Sequence, residues 1–397
     1  MAPERHVIVA GAGIAGLTAA LALARAGFRV TVFEQAAQLQ ETGAGIQLSP
    51  NATRVLIALG LRDRLLPHVT APDAIHVMNG SSGREIVRIP LGDAVAKKYG
   101  APYWAIHRGD LQAALAAAVE MEPDIALKLD CRVSHFTCGS NGVELRNERG
   151  EALIGADGIW SSVAQHLHNW SPPIFAHRSA WRALVPARDV AAEFRSPAIH
   201  LWLGEGAHLV HYPVKAGELI NIVAIVHDNW LDTGWSAPGE RDEILQRFAR
   251  AAWCEKARAL IAIPGQWLKW ALYARDAPVG AGTGPVALIG DAAHPMLPFL
   301  AQGAAMAIED AAVLADTLSQ RGNDIAGALR RYERARFPRA ARAQRAARAQ
   351  GRIYGLSGPA ALARNLGMRL MGGEALLARQ DWLYGWQAPQ LLQTSPE

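Results

Sequence analysis

A chain of 397 residues, half of them hydrophobic and 19% charged, has enough apolar sequence for about two domains and excludes a disordered protein. Its three cysteines, Cys131, Cys138 and Cys254, fit neither a disulfide framework nor a C-x-x-C metal or redox spacing, which predicts reduced core thiols in a cytoplasmic protein. The net charge of +4 is concentrated, with ten arginines from Arg321 to Arg352 against Asp324 and Glu333. That segment reads as a solvated helix face or subunit contact, not a nucleic-acid surface.

The first predicted elements are an apolar strand at Val7, Ile8 and Val9, the turn Gly11-x-Gly13-x-x-Gly16, a helix to Ala26 stopped by Gly27, and a strand closing on Glu34. Gly11 lets the chain leave the strand, Gly13 lets backbone approach a pyrophosphate, and Gly16 lets helix and sheet pack closely. The helix N-terminus then faces phosphate, and Glu34 stands where a carboxylate accepts from an adenosine ribose. Residues 7–28 are apolar enough for a signal or membrane segment. Their glycines, Arg25 and the missing basic leading region argue instead for a soluble nucleotide fold with no membrane partner.

Residues 43–52 read as a glycine-rich loop entering a helix capped by Asn51. Residues 74–78 and 84–89 alternate as a hairpin around Asn79-Gly80-Ser81-Ser82-Gly83. His107-Arg108-Gly109-Asp110-Leu111 opens a helix to Met121 with Asp110 as its cap, short strands follow, and Gly155-Ala156-Asp157-Gly158 breaks the last of them into a turn. From Pro172 to about Tyr273 strand-like runs dominate (residues 180–186, 199–203, 208–213 and 219–227), with one helical stretch at 242–258. This predicts a separate, mostly antiparallel sheet. Its tryptophans are expected in its core, and such a sheet suits an apolar ligand pocket. At residues 286–290 a buried strand returns, followed by Asp291-Ala292-Ala293-His294-Pro295, a helix from about Ala304, and an Arg/Ala-rich helical region kinked at Pro338.

A free nicotinamide dinucleotide is normally served by two adjacent βαβαβ halves. Here a whole sheet separates the halves, and the late unit carries Asp291 at the end of its strand, placed to hold the hydroxyls of an extended chain. The helix beginning near Ala304 aims its positive end at whatever ring follows, which suits a flavin.

The glycine turn with Glu34, then Gly155-Ala156-Asp157-Gly158, then Gly290-Asp291-Ala292-Ala293-His294-Pro295, resemble in order and spacing the FAD-dependent aromatic-ring hydroxylases of the p-hydroxybenzoate hydroxylase type. The runs His107-Arg108-Gly109-Asp110-Leu111 and Pro298-Phe299-Leu300-Ala301-Gln302-Gly303 are most similar to salicylate hydroxylase, 3-hydroxybenzoate 6-hydroxylase and 6-hydroxynicotinate 3-monooxygenase. The resemblance implies an α/β fold: a Rossmann-like FAD-binding domain (1–72, 101–171, 275–350), an inserted substrate sheet (73–100 with 172–274) and a C-terminal helical tail (351–397). It implies that Gly11, Gly13, Ala15, Gly16 and Glu34 hold the adenosine end of FAD and that Arg108 reaches its phosphate or ribose region. Asp157 would serve both FAD and the nicotinamide donor, and Asp291 the ribityl and phosphate groups. Pro295, Gln302, Gly303 and Ala304 would pass the isoalloxazine, and the 43–47 segment, with Gly45, would border the path of a swinging flavin. It further implies NAD(P)H as a transient co-substrate, O2, a flavin C4a-hydroperoxide and a small electron-rich aromatic substrate, hydroxybenzoate- or hydroxypyridine-like. The protein would be a monomer or homodimer.

Such chemistry needs a group that draws a phenol proton. His211 and Tyr212 lie on a strand-like run expected to face the substrate, and histidine has a suitable pKa. Gln302 is placed to bond the substrate or flavin edge, Arg182 is the candidate for a substrate carboxylate, and His294 is expected to hold the flavin loop. A W-x-W halogenase motif is absent from the sequence. The competing reading is a non-catalytic FAD-binding partner with the arginine-rich helix as its interaction surface.

Overall fold

The computed structural model describes residues 5–39, 44–139, 142–167, 170–232, 234–250, 252–280, 284–320, 322 and 324–392. Apolar runs such as HVIVA bury both faces, which suits strands sandwiched in a parallel sheet. Five of them pair in the order Val286–Leu288, Ala152–Gly155, His6–Ala10, Arg29–Phe33, Ile125–Lys128, all parallel. The early and late strands therefore meet in one sheet. Helix Ile14–Arg25 packs against helix Gly303–Ser319, joining the early and late nucleotide units through Leu17, Ala305 and Ile308.

An eight-stranded sheet runs Ser236–Gly239, Trp267–Ala274, Ile174–Pro186, Leu219–His227, Ala207–Val214, Ile199–Gly204, Ala74–Asn79, Glu85–Pro90. It is antiparallel except where Ile199–Gly204 meets Ala74–Asn79. Its outer face carries Trp181, Trp202, Leu209 and Ile222 against helices Arg241–Arg250 and Glu255–Ala262. Its inner face turns toward the nucleotide fold, where Val210, Tyr212 and Val214 meet Tyr103, Met296 and Met306. Among the described residues no helix is long and apolar enough to cross a membrane.

Several local expectations are corrected. Residues 45–48 are a strand, Gly45–Leu48, antiparallel to Trp104–His107, and Gly43 lies outside the described residues. The next helix, Pro50–Ala58, has Ser49 at its N-cap position, while Asn51 turns inward to donate to Glu309 Oε1 at 2.7 Å. Helix Arg108–Met121 has His107 at its N-cap, so Asp110 sits in its first turn and takes Lys215 Nζ at 2.8 Å. The 242–258 stretch is two helices, because Trp253 leaves the helix to pack on Phe248. Cys138 is exposed, not core. Helix Ile325–Tyr354 continues through Pro338, and its arginines are not all solvated: Arg336 is 1% exposed, bonded to Glu309 and Asp310.

Candidate active site

The glycine turn has the packing its sequence predicts. Gly11 has φ +101°, and a Cβ there would stand 2.5 Å from the Ala156 carbonyl oxygen; one at Gly16 would stand 1.9 Å from the Gly11 carbonyl oxygen. At Gly13 an added Cβ meets nothing within 4 Å, so this backbone faces open space. Gly13 is the N-cap of helix Ile14–Arg25 and brings no side-chain cap, leaving first-turn amides for an anion. Glu34 accepts from the Ala12 amide at 2.7 Å and the Ala36 amide at 2.9 Å, fixing its carboxylate beside the turn with lone pairs to spare.

The Gly290 turn closes on the same place. A Cβ at Gly290 would lie 3.1 Å from Ala15 Cβ, so the two nucleotide turns touch. Asp291 is solvent-accessible yet surrounded by protein, as a group lining an internal cleft is. That enclosure raises its carboxyl pKa, opposed by His294, Arg108 and Arg275. Arg108 leads its helix next to strand Gly45–Leu48, its amide donating to Ala44 at 2.9 Å. Asp157 accepts from the Val163 amide at 3.1 Å and keeps its buried Oδ1 without a partner; burial raises it as well.

Behind this cleft lies a buried ionic frame. Asp310 takes His294 Nε2 at 2.5 Å, the Gly290 amide at 2.9 Å and Arg336 Nε at 2.7 Å. Burial opposes the His294 charge, but Asp310 outweighs it and raises the imidazole pKa. Pro295 is tied in through its carbonyl, which accepts from Gln344 at 3.1 Å. Gln302 is corrected here. Its side chain is 1% exposed, donates to Ser49 Oγ at 2.9 Å and accepts from Asn51 at 3.1 Å, so it secures the loop and presents no amide to a substrate. Gly303 and Ala304 open helix Gly303–Ser319, whose N-cap likewise lacks a side-chain bond.

The substrate side follows from strand register. Tyr212 pairs with Asn221, Val210 with Val223, and His208 with Ile225; Arg182 lies beside Val223 on the next strand. Alternate residues share a face, so His208, Val210 and Tyr212 look inward and His211 looks outward. His211 stacks on His200 at 4.5 Å, meets Phe194 at 5.3 Å and accepts from Trp202 Nε1 at 3.2 Å. Burial, then His200, lowers its pKa well below the usual value. The expectation that His211 faces the substrate is therefore wrong, for the simple reason that it is one residue out of phase with Tyr212. The sequence does not single out His208, because it shows which histidines alternate but not which side of a two-sided buried strand faces the cofactor. It contacts the rings of Phe299 at 5.4 Å and Tyr354 at 5.2 Å.

Tyr212 and Asn221 press on strand Gly45–Leu48. A Cβ on Gly45 would come within 2.7 Å of both side chains, and the Gly45 amide donates to Asn221 Oδ1 at 2.8 Å. Glycine is required by that contact. Burial lifts the Tyr212 phenol above the ordinary tyrosine range, so it stays protonated. The Arg182 guanidinium lies 5.2 Å over the Trp270 ring.

Two converging glycine turns, uncapped helix N-termini and an enclosed aspartate fit FAD. The family described as FAD binding domain matches residues 4–347. This chain is a flavoprotein aromatic hydroxylase of that family. It is 38% identical over 391 residues to 3-hydroxybenzoate 6-hydroxylase 1 of Aquipseudomonas alcaligenes, a match spanning 96% of this chain and 98% of that protein. To the 3-amino-4-hydroxybenzoate 2-monooxygenase PtmB3 of Streptomyces platensis it is 38% identical over 390 residues, 96% of each chain. Among solved structures, a salicylate hydroxylase substrate complex superposes with TM-score 0.82 at 26% identity, covering 98% of this chain and 97% of the other. The chain is thus an FAD-dependent monooxygenase acting on an aromatic substrate with NAD(P)H as co-substrate, and the non-catalytic reading is set aside.

Proposed function

We propose that the chain hydroxylates a single-ring aromatic acid bearing a hydroxyl group, such as a hydroxybenzoate, bound flat on the inner face of the eight-stranded sheet. The observation that carries this is the register. Val210 and Val223 form an apolar floor, His208 stands at one end, and Tyr212 with Asn221 at the other. Four residues of strand separate His208 from Tyr212 by about 13 Å, room for one substituted ring between their side chains. Arg182, beside the floor, supplies a cation for a carboxylate. The relatives named for hydroxybenzoates favour this substrate class.

FAD would be held by Gly11, Gly13, Ala15, Gly16 and Glu34 at its adenosine end, Arg108 and Asp157 beside its phosphates, and Asp291 at the ribityl chain. Gly45, Pro295 and the Gln302–Gly303–Ala304 segment would border the ring. With NAD(P)H and O2, the bound flavin supplies the electrophilic oxygen. The protein's own work is to raise the ring's electron density and keep water out. His208 is neutral, its pKa lowered to about 3 by burial and then Arg178, so a ring nitrogen can accept a hydrogen bond from the ring hydroxyl and polarise its O–H bond without taking the proton. Leu297 and Phe299 pack on Ala180 and Ile225 and close the apolar side of the site.

Purified protein supplied with NADH or NADPH and a panel of hydroxybenzoates, hydroxypyridines and bicyclic phenols tests this. A hydroxybenzoate should accelerate oxidation of the nicotinamide and appear as a product heavier by one oxygen. Acceleration and oxygen insertion with the bicyclic phenols alone would overturn the single-ring reading.

A further inference from the structure

Arg178 is a cation of the inner sheet face that has no anion among the described residues. It lies on strand Ile174–Pro186, two residues before Ala180 and on the same face. Its guanidinium stands 5.7 Å over the Phe299 ring, the ring that also meets His208 at 5.4 Å. Ala180, Ile225 and His208 form one row across three strands, so Arg178 and His208 flank the same apolar patch under Phe299. Beyond Arg178 is the end of helix Ile325–Tyr354. A Cβ on Gly355 would come 3.1 Å from Arg178 Nη2, and Tyr354 beside it lies 5.2 Å from the His208 ring. Arg178 does not cap that helix, because Arg364 already donates to the Ile353 and Tyr354 carbonyls at 3.1 and 3.0 Å.

Among the described residues Arg178 makes no hydrogen bond or ion pair. Its cross-strand partner is His227, and the carboxylate that follows, Asp228, takes the Ser179 hydroxyl and the Trp230 amide. A partly buried guanidinium with its donors unused, beside the substrate floor, is a place for an anionic oxygen. His208 tolerates one. Neither of its ring nitrogens has a hydrogen-bond partner among the described residues. The neutral ring can therefore accept from a hydroxyl or, with its proton on the nearer nitrogen, donate to a phenolate.

We propose that Arg178 is a further substrate-binding residue, the fixed cation that holds the ring hydroxyl beside His208 as its phenolate and so favours the electron-rich form of the ring. This rests on the substrate reading above, which places the hydroxyl at the His208 end. The proton released goes to water at the partly exposed Arg178, since His208, with its pKa at about 3, is too weak a base to keep it. An opposite charge within about 4–6 Å lowers the pKa of an acid by about 1–3 units, which brings a phenol from about 10 toward neutrality.

The test is a pH titration of 3-hydroxybenzoate bound to the oxidised, FAD-loaded protein, followed by the phenolate difference absorbance. In wild type the bound hydroxyl should titrate about one unit or more below its value in solution. Arg178→Met should abolish most of that shift, and Arg178→Lys, which keeps the charge, should retain most of it. Product formation at neutral pH should fall about tenfold in Arg178→Met and recover as pH rises, because one unit of hydroxyl pKa is a tenfold change in phenolate. Benzoate, which has no hydroxyl, should bind wild type and both variants alike. Benzoate weakened in Arg178→Met as much as 3-hydroxybenzoate would make Arg178 a carboxylate ligand and overturn the proposal. A wild-type complex whose hydroxyl titrates at its solution value also overturns it, with no variant needed. So does an unchanged hydroxyl pKa in Arg178→Met that still holds FAD. Failure of the wild type to bind either ligand overturns the substrate reading instead.

Discussion

The two faces of strand Ala207–Val214 carry similar residues in opposite situations. Outward, His211 stacks with His200, which stacks on His76, three imidazoles in a row across three strands under Phe194 and Trp202. Inward, His208 and Tyr212 bracket an apolar floor and face the loop that carries Phe299 and Met296. Both faces are buried and both hold titratable rings. Burial and unusual pKa values therefore do not mark a catalytic residue by themselves; what separates the two faces is the element each looks at. The outer face meets helices of the same sheet unit, and the inner face meets the nucleotide cleft.

That contrast can be broken in steps. The harshest is to remove what the inner face looks at. Asp291→Ala should purify largely without FAD, read from the ratio of flavin to protein absorbance, and normal flavin content would reject its ribityl role. Next, His208→Ala should retain FAD while product formation falls by about tenfold and NAD(P)H oxidation yields peroxide, the size expected for loss of one positioned hydrogen-bond acceptor. Unchanged coupling of oxidation to product would move the acceptor elsewhere. By contrast, His211→Phe should leave coupling intact and lower stability by about 1–3 kcal/mol in denaturant titration, because the buried Trp202 N–H loses its acceptor. Loss of coupling at normal stability would put His211 back in the site.

The smallest effect is the share of the pH dependence that the outer face contributes. Burial, then His76, lowers the His200 pKa from 6.5 to about 4, so the folded protein keeps this ring neutral where the unfolded chain would protonate it. Stability from this term is whole above about pH 6.5 and is lost as pH falls toward 4. Melting temperature measured across that window should decline less steeply in His200→Phe than in wild type. An identical slope would mean that other buried imidazoles, such as His208 and His211, whose pKa values burial also lowers, govern the acid limb.

Much of the nucleotide half is legible from the sequence by itself. Gly11, Gly13 and Gly16 declare a turn because each has a separate steric duty, and local spacing is enough to read them. Glu34 and Asp291 follow from strand-end position, and the order of the three motifs carries the family. The hairpin at 74–89 is equally local, but that it joins the substrate sheet through a parallel pairing with Ile199–Gly204 is not.

What only the tertiary structure decided is direction. A strand buried on both faces has no hydrophilic side to reveal its phase, so His211 and His208 cannot be told apart until the sheet is docked. Gln302 and Asn51 look like site and cap residues in sequence, yet Glu309 and Ser49, distant in the chain, draw both into the frame behind the flavin loop. Gly45 reads as part of a glycine-rich loop because nothing nearby in the sequence explains it. Its reason is Asn221 and Tyr212, more than 150 positions away in the chain, which leave no room for a Cβ there while Asn221 accepts the Gly45 amide.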